Sequence, residues 1–472
     1  MPFYDRENEL DALSLLKDGR GGRLIVITGR RRVGKTTLIK HFLEGVSGSI
    51  YLYVDSTKRP ATLMSEFSES VRTVLGLPDY FLPRTWEQLF EAIYSSEKPV
   101  IVAIDEFQRF LDLDKGAIYA LQKVHDLRHD RTNANILISG SAVGMLKRMF
   151  ADEQAPLYKR AVNMIDIQPF DVVTCFDIYR KMGVKDIGEM VRLYACFGDL
   201  PMMFYLFEEY GVKSLDDALA KLLLRPFAPL RNEVSDTMVE SFGKEHPTYF
   251  AIISAISQGK HGTVEIANQV GINPTSLSPY MTDLEDVMGV LTSEKPVTER
   301  VGSNSKKGRY VLKDNFYKFW FRFFYKNASL TEGGSWDVLG DVISGSMDEY
   351  VSRQVEELIH RLILAHRLDL GVTPHRLGCW WSRKGDEIDI VALDDERKQV
   401  VFGEVKWSKN PVGMDVVSAL IAKSDLVDGL AGYKKRFFVF NRSGFTKEAM
   451  TRMQRDGVMH LDLDGLQKAL NE

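Results

Sequence analysis

Several features that would define a class of protein are scarce or missing in this chain of 472 residues. Its three cysteines, Cys175, Cys196 and Cys379, lack CxxC spacing, which argues against a disulfide framework and a structural zinc site. No apolar run approaches the ~20 residues that a membrane helix needs, so no membrane partner is expected. The N-terminus, MPFYDRENEL, has neither a basic nor an apolar signal segment. We therefore expect a cytoplasmic protein with reduced thiols.

A general excess of basic charge is also absent. The net charge is −4, so the chain as a whole presents no basic field to nucleic acid, and any DNA contact must be local. Hydrophobic residues make up 44% and charged residues 27%, which is typical of globular proteins. The length predicts two to three domains, and no internal repeat or low-complexity linker is found.

The first motif follows RLIVIT at residues 23–28, a short apolar segment typical of a buried parallel strand. The sequence GRRRVGKTT then matches GxxxxGK[ST], in which backbone N–H groups curl round phosphates at the start of a helix. We expect Lys35 to reach the β- and γ-phosphates and Thr36 to coordinate Mg²⁺. The predicted cofactors are ATP and Mg²⁺. The predicted nucleotide-binding residues are Gly29, Arg30, Arg31, Arg32, Val33, Gly34, Lys35, Thr36 and Thr37.

An acidic pair follows a second apolar segment, PVIVAIDEFQRF at residues 99–110. Beside a phosphate-binding loop, Asp105 is expected to hold Mg²⁺ through water, and Glu106 to orient or deprotonate the attacking water. A third segment, NILISGSA, ends on Ser139 and Ser141, which either sense the γ-phosphate or serve turn chemistry. The three loop arginines are open to two interpretations, a phosphate role or pairing with acids and solvent. Hydrolysis of ATP is the expected reaction.

Several stretches make the family resemblance specific. FYDRENEL resembles the hhGRExEL signature of AAA-type ATPases of the STAND and archaeal-ATPase clades, with Asp5 where that family has glycine. GDLP at residues 198–201 resembles their GxP segment, and APLYKRA and IDIQPF resemble their passage from core to helical lid. The resemblance implies a phosphate-sensing role for Arg160. An arginine finger from a neighbouring copy would require a homo-oligomer, although no residue identifies itself as that finger.

The middle of the chain has the pattern of a helix-turn-helix. An apolar helix, TYFAIISAISQG, precedes a short helix ending at Gly271 and a third helix that begins at NPTSL. Two strand-like runs then flank a tip made basic by Arg300, Lys306, Lys307 and Arg309, as in a winged helix. This module either grips DNA through phosphate contacts or packs as a lid. The third helix lacks lysine and arginine, which disfavours base reading.

An aromatic segment, NFYKFWFRFFYKN at residues 315–327, follows this module. Its spaced lysines and aromatic rings could stack on bases, but a buried amphipathic helix that joins two domains is the simpler interpretation.

The C-terminal region predicts the order α-β-β-β-α-β, which resembles the restriction-endonuclease-like core. Asp389 in EIDIVA, with Glu404 and Lys406 in GEVKW, matches the D…(D/E)xK pattern of that nuclease superfamily. Strand alternation places Glu404 and Lys406 on one face. The resemblance implies that Asp389 and Glu404 bind Mg²⁺, that Lys406 stabilises charge on a phosphate, and that Glu356 is an additional acid. A nuclease fold without activity, kept as a binding module, is the alternative.

We therefore predict a multidomain α/β protein. Its expected parts are an AAA-type P-loop ATPase core (1–170), a helical lid (171–240), a winged helix (241–330) and a restriction-endonuclease-like domain (331–472). The predicted catalytic residues are Lys35, Glu106, Asp389, Glu404 and Lys406, and the predicted metal ligands are Thr36, Asp105, Asp389 and Glu404. The expected function is an ATPase coupled to a metal-dependent nuclease that acts on DNA. The alternative is a nucleotide-switched regulator that binds DNA or protein.

Overall fold

The computed structural model describes residues 3–17, 21–299, 308–382 and 384–471. The chain divides into two compact units. The first contains residues 1–169, 200–202 and 282–289, and the second contains 170–199, 203–281 and 290–472. Within the described ranges, no helix is long and apolar enough to cross a membrane.

The first unit is built on a five-stranded parallel sheet. Its strands are β1 (Leu24–Thr28), β2 (Ser49–Tyr53), β3 (Val100–Asp105), β4 (Ala134–Ser139) and β5 (Asn163–Asp166). The strand order is β2-β3-β4-β1-β5. Every residue of β1, β3 and β4 is buried, which explains their continuous apolar sequences, because central parallel strands are covered on both faces. At their carboxyl ends these strands finish on the polar residues Thr28, Asp105 and Ser139.

In the described part of this unit, seven α-helices accompany the sheet. They are α1 (Glu7–Ser14), α2 (Lys35–Leu43), α3 (Pro60–Leu75), α4 (Trp86–Tyr94), α5 (Phe110–Leu113), α6 (Gly116–Arg128) and α7 (Val143–Ala151). The amphipathic helix α4 starts at a Thr85 cap that accepts a hydrogen bond from the Gln88 N–H, and it buries Trp86, Leu89 and Phe90 in the core. The burial of these three side chains therefore holds α4 in the core of this unit.

The second unit begins with a helical segment. Its helices are α8 (Val172–Lys181), α9 (Ile187–Phe197), α10 (Pro201–Glu209), α11 (Leu215–Leu222) and α12 (Glu233–Phe242). Asp171, Asp186 and Ser214 cap α8, α9 and α11 by accepting a backbone N–H with their side chains.

The next elements have the order expected of a winged helix. They are α13 (His246–Ser257), α14 (Thr263–Val270), α15 (Pro274–Thr282), β6 (Leu291–Glu294) and β7 (Arg309–Leu312). Helix α14 ends at Gly271, whose φ of +78° is left-handed, and β6 and β7 pair antiparallel. Of the predicted basic tip, Arg300, Lys306 and Lys307 lie outside the described residues.

The aromatic segment is buried, as the simpler interpretation predicts. Helix α16 (Asn315–Trp320) continues into a π-helical turn at Phe321–Tyr325, and Phe316, Phe319, Phe323 and Phe324 are almost fully buried. After α17 (Ala328–Glu332), helix α18 runs over Trp336–Leu364. It therefore starts ten residues before the predicted segment at Ser346, because Leu339 and Ile343 extend its buried stripe.

The C-terminal part of the second unit is a five-stranded mixed sheet in the order β12-β11-β10-β9-β8. Its strands are β8 (Arg376–Trp381), β9 (Glu387–Asp394), β10 (Gln399–Lys406), β11 (Lys434–Asn441) and β12 (Met459–Leu461). Helices α19 (Met414–Ser424), α20 (Lys447–Asp456) and α21 (Leu463–Asn471) complete it. The predicted order α-β-β-β-α-β is confirmed for α18 to β11. Strand β10 pairs antiparallel with β9 and parallel with β11, and α19 forms the crossover.

Candidate functional site

The phosphate-binding motif folds as a tight loop between β1 and α2. Gly29 and Gly34 have φ values of +150° and +90°, and Arg32 has a left-handed φ of +69°. Successive backbone N–H groups in such a loop form a concave anion site at the N-terminus of a helix. Helix α2 begins at Lys35, directly after Gly34. The predicted residues 29–37 therefore have the backbone form that the motif requires.

The ammonium group of Lys35 turns back into this loop. It donates hydrogen bonds to the carbonyl oxygens of Gly29, at 2.7 Å, and Arg30, at 3.0 Å. The side chain is buried, and this burial lowers the pKa of Lys35 to about 8, although the charges of Glu106 and Asp105 oppose that shift. A buried cation that donates to two carbonyl oxygens inside the loop is suited to an anionic ligand.

The Asp105 carboxylate accepts hydrogen bonds from hydroxyl groups on three other elements. Thr36 on α2 donates to its Oδ2 atom at 2.7 Å, and Tyr51 on β2 donates to the same atom at 2.8 Å. Ser139, at the end of β4, donates to its Oδ1 atom. The contact between Thr36 and Asp105 joins the two predicted Mg²⁺ ligands. An oxygen-only set of a hydroxyl and a carboxylate fits Mg²⁺, which prefers such ligands.

Glu106 has a strained backbone and two side-chain donors. Its φ of +56° and ψ of +38° are left-handed, a conformation that costs a non-glycine residue backbone strain. Ser141 donates to its Oε2 atom at 2.9 Å, and the Gln108 amide donates to the same oxygen. The Oε1 atom of Gln108 is buried and has no hydrogen-bond partner within the described residues.

The N-terminal motif supports the loop. Arg6 donates to the carbonyl oxygen of Val33 at 3.3 Å and to that of Gln168 at 2.8 Å. Asp5 has a φ of +57°, a left-handed conformation that explains why glycine suits this position in the resembling family. Arg160, the predicted phosphate sensor, instead forms a bidentate salt bridge with Asp126 on α6. Its Nε and Nη2 atoms donate to the two carboxylate oxygens at 2.6 and 2.7 Å. The sensing role stays a prediction.

A second polar cluster lies in the C-terminal sheet. Asp389 is buried on β9, and its Oδ2 atom accepts the Val405 N–H of β10 at 2.8 Å. Lys406 donates to Glu404 Oε1 at 2.6 Å, so strand alternation places both on one face, as predicted. Asp389, Glu404 and Lys406 thus come together on two neighbouring strands.

Two features of this cluster, a further lysine and raised carboxyl pKa values, are not part of the D…(D/E)xK motif. Lys423, on α19, donates to Glu404 Oε2 at 2.9 Å, so each oxygen of Glu404 has its own lysine. Burial, with the neighbouring charge of Glu404, raises the pKa of Asp389 to about 7. The pKa of Glu356 is also raised, first by burial and then by the charges of Asp389 and Glu387. The cluster is therefore crowded with carboxyl groups that compete for positive charge.

The donor set fits Mg²⁺ only in part. Carboxylates are the ligands that Mg²⁺ prefers, and a divalent cation would relieve their repulsion. Within the part of the chain that the structure describes, however, no group of three or more His, Cys, Asp or Glu residues is arranged to hold a metal ion. Each oxygen of Glu404 instead accepts a hydrogen bond from a lysine.

The β6–β7 hairpin also packs beside this sheet. Arg309, from the predicted basic tip, pairs with Glu387 on β9 at 2.8 Å and stacks over the ring of Trp381 on β8. Val297, in the connection between β6 and β7, donates its N–H to the Cys379 carbonyl of β8 at 3.0 Å. This face of the hairpin contacts the C-terminal sheet. For this face, the contact favours packing against protein over binding to DNA.

Sequence reasoning missed three residues of these two clusters, Tyr51, Gln108 and Lys423. Gln108 is two residues from Glu106 and could have been found by its spacing. Tyr51 and Lys423 reach their carboxylates from separate elements, and neither stands in a recognisable motif.

Comparisons with known proteins find two family matches in separate parts of the chain. Residues 3–204 match a family described as an ATPase domain predominantly from Archaea, and residues 320–417 match archaeal and bacterial proteins of unknown function. A Walker-type ATPase of Pyrococcus abyssi is similar in structure, with a TM-score of 0.52 and 19% identity over 68% of this chain and 96% of that chain. That similarity shows the fold of the P-loop ATPase core.

Two relatives come from Methanocaldococcus jannaschii. An uncharacterized ATP-binding protein is 50% identical over 42 residues, which are 9% of this chain and 71% of the relative. An uncharacterized protein is 32% identical over 451 residues, which are 94% of this chain and 97% of the relative. The chain therefore belongs to the family of this full-length relative, with an archaeal ATPase domain and a C-terminal domain found in archaeal and bacterial proteins of unknown function.

Proposed function

We propose that the first unit binds and hydrolyses ATP and that the second unit contains a metal-dependent phosphodiesterase site that acts on DNA under the control of the nucleotide. The contact between Thr36 and Asp105, at 2.7 Å, carries the first part of the proposal, because it joins the phosphate loop to the acidic strand end. The archaeal ATPase domain at residues 3–204 supports it.

In the ATP site, residues 29–37 bind the phosphates through their backbone N–H groups, and Lys35 supplies a fixed positive charge. Thr36 and Asp105 would hold Mg²⁺, which neutralises phosphate charge when bound. Glu106 accepts a proton from the attacking water, and Gln108 and Ser141 position the carboxylate for that transfer by donating to its Oε2 atom. Arg30, Arg31 and Arg32 surround the phosphate site with positive charge.

In the C-terminal cluster, Asp389 and Glu404 would hold a divalent cation, which activates water and polarises the scissile phosphate when bound. Lys406 supplies a positive charge beside that phosphate. The convergence of Asp389, Glu404 and Lys406 on β9 and β10 supports this assignment. Glu356, on α18, adds a fourth ionisable group with a raised pKa.

A second candidate function is a nucleotide-switched regulator that binds DNA or protein and has no nuclease activity. The two lysines on Glu404 favour it, because they satisfy the carboxylate without a metal ion.

Two variants test the ATP site. Glu106→Gln keeps the shape of the side chain and removes its basicity, so we expect ATP turnover to fall by at least about 100-fold while ATP binding persists. Glu44→Gln, on a surface glutamate of the same unit, is the matched control. Unchanged turnover in Glu106→Gln would remove Glu106 from its role.

The nuclease assignment is tested with labelled linear, branched and single-stranded DNA, in Mg²⁺ or Mn²⁺, with and without ATP. Cleavage by the wild type, and its loss in Asp389→Ala and Lys406→Ala, would support the phosphodiesterase. A dependence of cleavage on ATP would support control by the nucleotide. DNA binding without cleavage under every condition would instead favour the regulator.

A further inference from the structure

The loop between α11 and α12 carries an exposed aromatic residue on a strained backbone. Phe227 is 94% exposed, more than any other large hydrophobic side chain of the described residues. Its φ of +58° is left-handed, a conformation in which the Cβ atom of a bulky residue is crowded by its own backbone. A single exposed apolar side chain is ordinary, but one that also strains its backbone indicates a role outside the fold.

The rest of this loop is held in place. Leu230 is almost fully buried, and its N–H donates to the Leu222 carbonyl oxygen at 3.1 Å. The carbonyl oxygen of Arg231 accepts a hydrogen bond from the Trp320 indole N–H at 2.8 Å. The sequence RPFAP also puts a proline on either side of Phe227, which restricts the backbone there. The ring is therefore presented by a fixed turn, so a ligand that stacks on it has little loop entropy to remove.

Two arginines of the same loop are held by aromatic rings. The Cζ atom of Arg225 lies 5.6 Å from the ring centroid of Tyr210, and that of Arg231 lies 5.5 Å from the ring centroid of Trp336. Neither guanidinium group lies within 4 Å of a carboxylate oxygen of the described residues. From position 222 to 232 the chain has two arginines and no acidic residue. The loop thus combines an exposed ring with two cations that no acid neutralises.

We infer that Phe227, Arg225 and Arg231 form a binding site for single-stranded nucleic acid, in which an unpaired base stacks on the ring and the arginines contact the flanking phosphates. The site lies in the helical segment of the second unit and uses no residue of the D…(D/E)xK motif. It goes beyond the proposed function, because it needs neither ATP hydrolysis nor cleavage. Binding here makes and breaks no covalent bond.

The chemistry of the loop matches a single strand closely. Every base has a flat π face that stacks on an aromatic ring, and each nucleotide adds one phosphate for a nearby cation. The planar guanidinium group of an arginine donates several N–H groups in a geometry that fits phosphate oxygens. In a duplex the bases are already stacked and paired with each other, so no base face is free for Phe227. We therefore expect the contribution of this ring to be specific to single strands.

A protein partner is the alternative, and the loop fits it less well. An aromatic anchor in a protein interface is normally inserted into a pocket and surrounded by contacts that exclude water. Phe227 is instead flanked in the sequence by two arginines, which would lose much of their hydration in such an interface without an acid of this chain to compensate them. These charges favour nucleic acid.

The experiment uses the full chain without nucleotide, in EDTA so that no metal-dependent cleavage occurs. Fluorescence anisotropy measures the binding of labelled oligothymidylate and of a duplex of the same length. The variants are Phe227→Leu, Phe227→Gly and the double variant Arg225→Gln/Arg231→Gln. The matched control is Tyr80→Leu, because Tyr80 is an 84% exposed aromatic residue of the first unit. Thermal melting and sedimentation velocity are measured for every protein.

Phe227→Leu keeps an apolar side chain and removes the flat π face, so we expect the Kd for oligothymidylate to rise about tenfold while the Kd for the duplex stays the same. Phe227→Gly should lose the same affinity and melt at a temperature at least as high as the wild type, because glycine relieves the left-handed strain. The double arginine variant should lower the slope of log Kd against log salt by about 1–2. Tyr80→Leu should match the wild type.

Three results would overturn the inference. The first is a Phe227→Leu variant that binds oligothymidylate as the wild type does, or that weakens both DNA forms equally. The second is a Phe227→Leu variant that loses self-association and keeps its affinity for DNA, which would assign the ring to a second copy of the chain. The third is a Phe227→Gly variant that melts well below the wild type, which would make the ring a support of the fold.

The outcome is separate from that of the proposed function. If the wild type fails to cleave DNA in Mg²⁺ or Mn²⁺, the phosphodiesterase fails, and the binding measured in EDTA still decides the role of Phe227. If Phe227→Leu binds as the wild type does, this site fails, and the cleavage assays with Asp389→Ala and Lys406→Ala are unaffected.

Discussion

The phenol of Tyr51 donates a hydrogen bond to Asp105 Oδ2 at 2.8 Å, from β2 to the neighbouring parallel strand β3. Burial and the Asp105 charge raise the pKa of Tyr51, so this phenol remains a donor at all ordinary pH values. Together with Thr36, it fixes one carboxylate oxygen of Asp105. The orientation of the proposed Mg²⁺ ligand therefore depends on an aromatic residue outside both motifs.

Tyr51→Phe removes this hydrogen bond and keeps the ring. We expect ATP turnover at limiting Mg²⁺ to fall several-fold, since one neutral-to-charged hydrogen bond contributes about 1.5 kcal/mol. Saturating Mg²⁺ should restore most of the activity. Steady-state ATPase assays across a Mg²⁺ titration measure the effect, and Tyr119→Phe, on an exposed tyrosine of α6, is the control. A Mg²⁺ dependence identical to the wild type would show that Tyr51 does not position Asp105.

A second prediction concerns Gly140, which follows β4. A methyl group added there would overlap the side-chain amide of Gln108, whose other end donates to Glu106. We expect Gly140→Ala to displace Gln108 and lower the turnover of ATP by roughly tenfold or more, while ATP binding changes little. Gly345→Ala is the control, because an added methyl group meets nothing within 4 Å there. Normal turnover in Gly140→Ala would mean that Gln108 is not needed in its present position.

The sequence predicted the parts of the ATP site that are contiguous in the chain. Residues 29–37 form one loop and one helix start, so local spacing is sufficient to identify them. Asp105 and Glu106 follow a buried strand, and the carboxyl ends of parallel strands meet at one edge. Tyr51 stands in SIYLY, where alternation indicates only a strand. The residue that Tyr51 contacts depends on the order of the strands in the sheet, and the sequence pattern does not reveal that order.

In the C-terminal cluster, too, the sequence predicts residues that follow a local pattern but not contacts between separate elements. Asp389, Glu404 and Lys406 could be predicted because alternation along β9 and β10 decides which face each occupies. Lys423 stands in the last turn of a helix, where a lysine is ordinary, and its partner depends on the crossover to β11. The contact of Arg309 with Trp381 likewise depends on packing between the hairpin and β8, which local periodicity does not describe.

A third prediction concerns His125, which is buried on α6 and hydrogen-bonded to the Tyr94 hydroxyl at 2.8 Å. Burial, followed by the nearby His129, lowers the pKa of His125 to about 4. The unfolded chain binds a proton below its ordinary pKa of about 6.5, whereas the folded chain does not. His125 therefore costs no stability above that pH, and the cost grows as the pH falls towards 4.

At pH 5 this cost is about 2 kcal/mol. We expect His125→Gln, which can keep a hydrogen bond to Tyr94, to flatten the loss of stability of the first unit between pH 6.5 and pH 4. Urea unfolding of the full chain at several pH values measures it, and His41→Gln, on a partly exposed histidine, is the control. An equally steep loss in His125→Gln would assign the pH dependence to other groups.

The last prediction concerns positive side chains beside Lys406. Lys409 and Arg442 pair with the single carboxylate of Asp348, at 2.8 and 3.2 Å, and Arg192 approaches it at 3.9 Å. Arg442 also donates its backbone N–H to the Lys406 carbonyl oxygen at 3.3 Å. Arg192 also pairs with Glu189 at 3.1 Å, so three cations and two carboxylates leave one net positive charge, and Lys409 is 71% exposed. This surface can receive phosphates that flank the scissile one.

If DNA lies on this surface, replacing Lys409 and Arg442 by serine removes up to two phosphate contacts. We expect DNA binding to weaken for all sequences alike, and the slope of log Kd against log salt to fall by about 1–2. Anisotropy titrations in Ca²⁺ at four salt concentrations measure both quantities. The double variant Arg452→Ser/Arg455→Ser, which removes two cations paired with Asp456 on α20, is the control for net charge. A double variant with weaker binding but an unchanged salt slope would indicate a structural effect, because a lost phosphate contact must release fewer counterions.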